Sequence, residues 1–230
     1  MNQQISIANQ AKVERSFLTR TFLWMTLGLL VTAVVAYVVA SSETLLAMVY
    51  GNPGITMGLL IAQVVLVITL SVAVNKLAPV IATLLFFAYA ALTGLTFSAI
   101  LLIYTAESVA STFVVTAGMF GILAIIGMST HVDLTKIGIL AFVGLIGVIL
   151  MSVVNIFLQS TALYWLISIV GVLIFVVLIA RDSQRLKRMA SQLDPNTDQG
   201  ARASILGALA LYLDLINLFL FLLRFMGRRN

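Results

Sequence analysis

Polar residues are nearly absent from seven long stretches of this chain and crowd into the segments between them. Residues 22–40, 56–74, 80–103, 109–128, 137–158, 163–180 and 204–223 are almost continuously apolar. Each is near the ~20 residues that an α-helix needs to cross a ~30 Å hydrocarbon core. The alternation that marks the strands of a membrane barrel is missing from them. Backbone N–H and C=O groups in lipid must be paired within their own segment, so the pattern predicts seven transmembrane helices. The first stretch outruns the ~7–15-residue apolar core of a secretory signal and is read as a retained span. No polar segment is long enough to fold separately, so residues 1–230 are expected to form a single transmembrane domain. Its polar parts are an arm at 1–20, a basic loop at 181–203 and a basic tail at 224–230.

The connections alternate in charge. Lys12, Arg15 and Arg20 lie in the arm, Lys76 follows the second span, and Lys136 follows the fourth. Arg181, Arg185, Lys187, Arg188 and Arg202 follow the sixth. The connections at 41–55, 104–108 and 159–162 hold no Lys or Arg. Because basic loops stay on the cytoplasmic side, the N-terminus and the basic connections are expected there. Arg224, Arg228 and Arg229 break the alternation. Either the seventh stretch crosses against the rule or it dips in and returns. The absence of Gly or Pro after Gly207 within it favours a crossing.

Composition agrees with this picture. Hydrophobic residues make up 62% and charged residues 9% of the 230, whereas soluble domains carry about 25% charged residues. With no cysteine, a disulfide framework and thiolate chemistry are excluded. In a membrane protein the net charge of +5 bears on topology and on contact with anionic headgroups, and no nucleic-acid partner is expected. No zinc-type His/Cys cluster and no phosphate-binding loop occur, so no cofactor is expected. The single histidine, His131, sits beside Asp133 in a connection and reads as a solvated residue; with it the serines build no triad, and the chain is not expected to be an enzyme.

The exception to the apolar rule is Asp214, in Leu211-Tyr212-Leu213-Asp214-Leu215-Ile216-Asn217. A carboxylate at that depth costs roughly 2.5–3.5 kcal/mol on insertion scales, and such residues mark ion or proton pathways. Gly207, Ala210, Asp214, Asn217 and Phe221 recur at steps of three and four and share one face, which should look into the bundle. Small and polar residues on other spans include Thr93, Thr96, Thr116 and Asn155, and Ala117 with Gly121 forms a small-xxx-small pair. Lipid gives helices no hydrophobic reason to associate, so these faces read as helix–helix seams, or else as the lining of a narrow path. Asp214 could also be purely structural, hydrogen-bonding Asn155 or a threonine on a neighbouring helix.

Ala210-Leu211-Tyr212-Leu213-Asp214-Leu215-Ile216-Asn217-Leu218-Phe219, with Leu222-Leu223-Arg224-Phe225, resembles the C-terminal signature of the Bax inhibitor-1 (transmembrane Bax inhibitor motif) family. Ala180-Arg181-Asp182-Ser183-Gln184-Arg185-Leu186-Lys187 is similar to its second signature, and Ala91–Thr96 and Ala110–Gly121 to its bacterial branch. The resemblance implies an all-α integral membrane protein of a bacterial inner membrane, its seventh helix central and wrapped by the other six. It implies a calcium leak sensitive to pH, with Asp182 and Asp214 as the sensing pair and transient Ca²⁺ ligands. Lys76 is the nearest match to the family's basic latch at the end of the second helix, although a Lys lacks the planar fork of an Arg.

Two carboxylates facing each other in a low-dielectric site titrate as one unit, so the charge of the site would follow pH. One obstacle stands: as drawn, Asp214 lies about ten residues into its span, roughly 15 Å deeper than Asp182. The pair needs the last helix to begin earlier, with 201–204 already helical. The alternative function is a membrane interaction protein without transport of its own, modulating a membrane protease or the stress and cell-death machinery, as family members are linked to doing. An intramembrane aspartyl protease would need both acids within the core, and Asp182 is expected at a helix end.

Overall fold

Every predicted apolar stretch is helical in the computed structural model, which describes the backbone of residues 2–230 and the side chains of residues 10–74 and 76–230. The helices are α1 (Asn2–Ala40), α2 (Glu43–Tyr50), α3 (Pro53–Ala73), α4 (Pro79–Ile103), α5 (Ala106–Ser129), α6 (Thr135–Leu158), α7 (Thr161–Ala190) and α8 (Asp198–Met226), with a 3-10 turn at Val74–Lys76. Among the described residues, seven helices are long and apolar enough to cross a membrane, all except α2. The protein is therefore an all-α, multi-pass membrane protein.

Helix ends follow local chemistry. Asn52 accepts a hydrogen bond from Gly54 N–H and hands over to Pro53 in the first turn of α3, where a missing N–H costs nothing. Ser42 caps α2 in the same way, accepting from Leu45 N–H. At the end of α6, Gln159 takes a left-handed backbone (φ 49°) and its N–H reaches Asn155 O at 2.8 Å. Asn155 Oδ1 then accepts Ser160 N–H at 3.0 Å, so this residue closes the helix that carries it.

Three elements exceed the expectation drawn from hydropathy. The arm at 2–20 is the start of α1, the connection at 41–55 contains α2, and the basic loop is helical at both ends. α7 continues ten residues past 180, as the amphipathic basic run at 182–189 leads one to expect: its Arg, Gln and Lys are good helix formers and it buries Leu186 and Ala190. α8 starts at Asp198, before 204, and Thr197 Oγ1 accepts Gly200 N–H at 3.1 Å as its cap. Residues 201–204 are thus already helical, as the acid pair requires.

The contacts divide the chain into two units. The first holds Met1–Thr105, Arg188–Tyr212 and Arg229–Asn230; the second holds Ala106–Lys187 and Leu213–Arg228. In the first, Tyr212 of α8 is fully buried. Its hydroxyl lies 2.6 Å from Thr32 Oγ1 of α1, which also lies 2.9 Å from Ala90 O of α4. The rings of Phe86 and Tyr89 stand edge-on to Tyr212, at 5.8 and 5.9 Å. Two arginines tie loops in this unit: Arg20 donates to Pro195 O at 2.7 Å and Arg202 to Leu77 O at 3.1 Å.

In the second unit α5 buries Ser108, Thr112, Thr116, Phe120, Ala124 and Gly127. The seam therefore runs along this row. A Cβ at Gly121 would meet nothing within 4 Å, so the Ala117–Gly121 pair is not a close helix contact. The two ends of α5 report where its neighbours stop. Lys187 near the end of α7 donates to Met128 O at 2.8 Å. At the opposite end Ser108 accepts from Arg228 N–H at 3.1 Å, just past α8. Helix α8 is a single unbroken helix from Asp198 to Met226 and does not turn back. Its most apolar stretch is 61% buried, against 6% for that of α3.

Candidate functional site

Asp182 lies inside α7, eight residues before its end at Ala190, and not at a helix terminus. Its side chain is 14% exposed and forms a salt bridge with Arg181, 28% exposed, at 2.5 Å. Neighbouring residues on a helix point about 100° apart. This pair forms because the arginine side chain wraps round the helix, and Gly138 of α6 makes room for it. A Cβ at Gly138 would stand 2.5 Å from Arg181 Cγ. One residue earlier, the backbone of Ala180 lies against Gly127 of α5, where any side chain would overlap the Ala180 carbonyl. Two glycines flanking the α5–α6 connection thus seat the residues immediately before Asp182.

Asp214 is 5% exposed on α8, and its Oδ2 has no hydrogen-bond partner among the described residues. It lies within Coulombic range of both Asp182 and Arg181. No hydrogen bond joins the two carboxylates: Asp182 is bonded to Arg181. The charges of Asp182 and Arg181 therefore both act on Asp214. Two further buried oxygens of this unit, Thr112 Oγ1 and Ser183 Oγ, also lack partners.

The other residues singled out by sequence are spread out. Asn217 Nδ2 donates to Leu213 O on its own helix at 2.8 Å. Thr116 bonds back to Thr112 O at 2.7 Å in the second unit. Thr93 bonds back to Tyr89 O and Thr96 to Thr93 O, at 3.0 and 2.9 Å, in the first. Asn155 caps α6 and gives no support to Asp214. Lys76 is exposed at the end of the 3-10 turn; the cation on Asp182 is Arg181. Asp133 accepts Thr135 Oγ1 at 2.7 Å and holds the start of α6, beside an exposed His131. Among the described residues no group of three or more His, Cys, Asp or Glu could hold a metal. Two carboxylates fall short of the six to eight oxygens of a resident Ca²⁺ site.

Sequence reasoning passed over the residues that support Asp182. Gln184, 7% exposed, grips the α5–α6 connection with both ends of its amide. Its Nε2 donates to Val132 O at 2.7 Å, and its Oε1 accepts Leu134 N–H at 3.0 Å. A glutamine two residues after an aspartate in a basic helical run was the available signal, since a topology anchor needs only Lys and Arg.

Comparison with known proteins places these features in a family. The model of the family described as inhibitor of apoptosis-promoting Bax1 matches residues 14–230. The inner membrane protein YbhL of Escherichia coli is 49% identical over 217 residues, covering 94% of this chain and 93% of that protein. An uncharacterized protein of Borreliella burgdorferi is 43% identical over 218 residues, covering 95% and 94%. An uncharacterized membrane protein of Streptococcus pyogenes is 33% identical over 232 residues, covering all of both chains. With the family model spanning nearly the whole sequence, this seven-span protein belongs to the Bax inhibitor family.

Proposed function

We propose that the chain is a pH-sensitive calcium leak of the bacterial inner membrane, governed by the protonation of Asp182 and Asp214. The location draws on the name of the Escherichia coli relative, an inner membrane protein. The observation that carries the activity is Asp214 itself, a buried intramembrane carboxylate with one oxygen left without a partner. An unsatisfied buried polar atom costs about 1–3 kcal/mol, more when charged. A residue that only joined helices would be expected to spend both oxygens on them. Thr112 Oγ1 and Ser183 Oγ are also buried without partners in the same unit.

The charges then define the switch. Arg181 is paired with Asp182, so an ionised Asp214 has no cation of its own and faces that ion pair. Its hard oxygen suits a passing Ca²⁺. Protonation removes that charge, and protonation of Asp182 frees Arg181. Both events change the electrostatic balance between α7 and α8, the two helices that carry the acids. The cation that pairs with Asp182 in this switch is Arg181.

The test is Ca²⁺ flux into liposomes holding only the purified protein, from pH 5 to 8. Flux should vary with pH, and Asp182→Asn and Asp214→Asn should each flatten that dependence. Arg181→Gln should displace the profile, and Lys76→Gln should leave it unchanged. A folded wild-type protein that passes no Ca²⁺ at any pH would refute the leak and favour an interaction protein.

A further inference from the structure

We propose that α1 carries a site for one anionic phospholipid of the surrounding bilayer, independent of the acid pair. Two depressions in the first unit lie along one strip of this helix. The first, about 420 Å³, is lined by Lys12, Arg15, Ser16, Thr19 and Arg20, and closes on Leu23. The second, about 510 Å³, has only apolar lining: Leu27, Leu30, Val31, Val34 and Val35 of α1, with Phe87 of α4. Steps of three and four residues join them through 12, 15, 19, 23, 27, 30 and 34, which is one continuous helical face.

The order along that face matches a lipid. Three cations and two hydroxyls come first, then an apolar groove. From Thr19 to Val34 the strip runs about 22 Å at 1.5 Å per residue, deeper than the ~15 Å of hydrocarbon in one leaflet. Lys12, Arg15, Ser16 and Thr19 are exposed, and neither cation has an acidic partner among the described residues. Arg20 is held in place by its bond to Pro195 O, yet its guanidinium has five N–H donors and keeps several for a phosphate. A lipid headgroup phosphate complements this cluster in charge and geometry. Basic residues that only set topology need no hydroxyls between them and no groove beneath them. Here both stand on the same face.

The test is native mass spectrometry of the full chain in detergent, titrated with phosphatidylglycerol, phosphatidylcholine or inorganic phosphate. One phosphatidylglycerol should be retained in preference to phosphatidylcholine, and inorganic phosphate should not displace it. Lys12→Gln with Arg15→Gln should weaken retention by more than about tenfold. Val31→Trp, which fills the groove and leaves the cations in place, should weaken it as well. A matched pair at the other end of the molecule, Arg228→Gln with Arg229→Gln, should retain the lipid like the wild type. Equal retention of both lipids, full displacement by phosphate, or loss in the Arg228/Arg229 variant alone would overturn the site. So would retention unchanged by Val31→Trp.

Discussion

Asp214 imposes a cost that its surroundings do not offset: it is buried, and one of its oxygens is unbonded. That makes its stability effect diagnostic. Leucine reproduces the branched shape of aspartate without its polarity. Asp214→Leu should leave the protein as stable in detergent as the wild type, or more stable by up to about 1–3 kcal/mol, as read from thermal unfolding. A clear loss of stability would make Asp214 a structural residue and remove the main support for the leak. Asp214 was legible in sequence because a carboxylate within an apolar run stands out by itself. Its surroundings were not. Arg181 and Asp182 are adjacent, a spacing that ordinarily keeps side chains apart on a helix. The stem of Arg181 fills space that Gly138 leaves on another helix, which no spacing within α7 reveals.

At the scale of elements, α7 is more than a span with a basic end. Its extension clamps the connection between α5 and α6 through Gln184, and Lys187 binds the last turn of α5. Gln184→Leu should free the Leu134 amide, raising its hydrogen-exchange rate several-fold while the amides in the middle of α7 stay protected. Unchanged exchange at Leu134 would mean that the clamp does not form. Hydropathy located every span, since apolar length is a property of the local segment. It began α8 too late, because a helix outside the hydrocarbon can form on propensity and capping, as Thr197 shows at the start of α8; the continuation of α7 is legible in the amphipathic run at 182–189, not in hydropathy. The buried face of α5 was likewise misjudged from composition. Glycine permits close approach but does not compel it, and Gly121 faces open space while Gly127 meets α7.

For the whole molecule the direction of the last helix matters most. The 29 residues of α8 extend about 43 Å, more than a ~30 Å core. The arginine-rich tail and the α7–α8 turn therefore stand at opposite ends of one helix long enough to cross the membrane. Arg224 lies over the rings of Tyr164 and Phe221, at 5.3 and 5.1 Å, which gives this cation an aromatic partner at that end. The chain lacks cysteine, so single replacements can report sidedness: Ser191→Cys and Asn230→Cys should react with an impermeant maleimide from opposite faces of the membrane. Labelling of both from one face would show that α8 turns back. The sequence by itself determined the class of the protein, the number of spans and the residue most worth questioning, because these depend on the composition of single segments. Only the tertiary structure decided where α8 begins, that Arg181 is the cation on Asp182, and that both of these charges act on Asp214. Those outcomes depend on the distance between segments far apart in the chain, and spacing within one segment does not encode it.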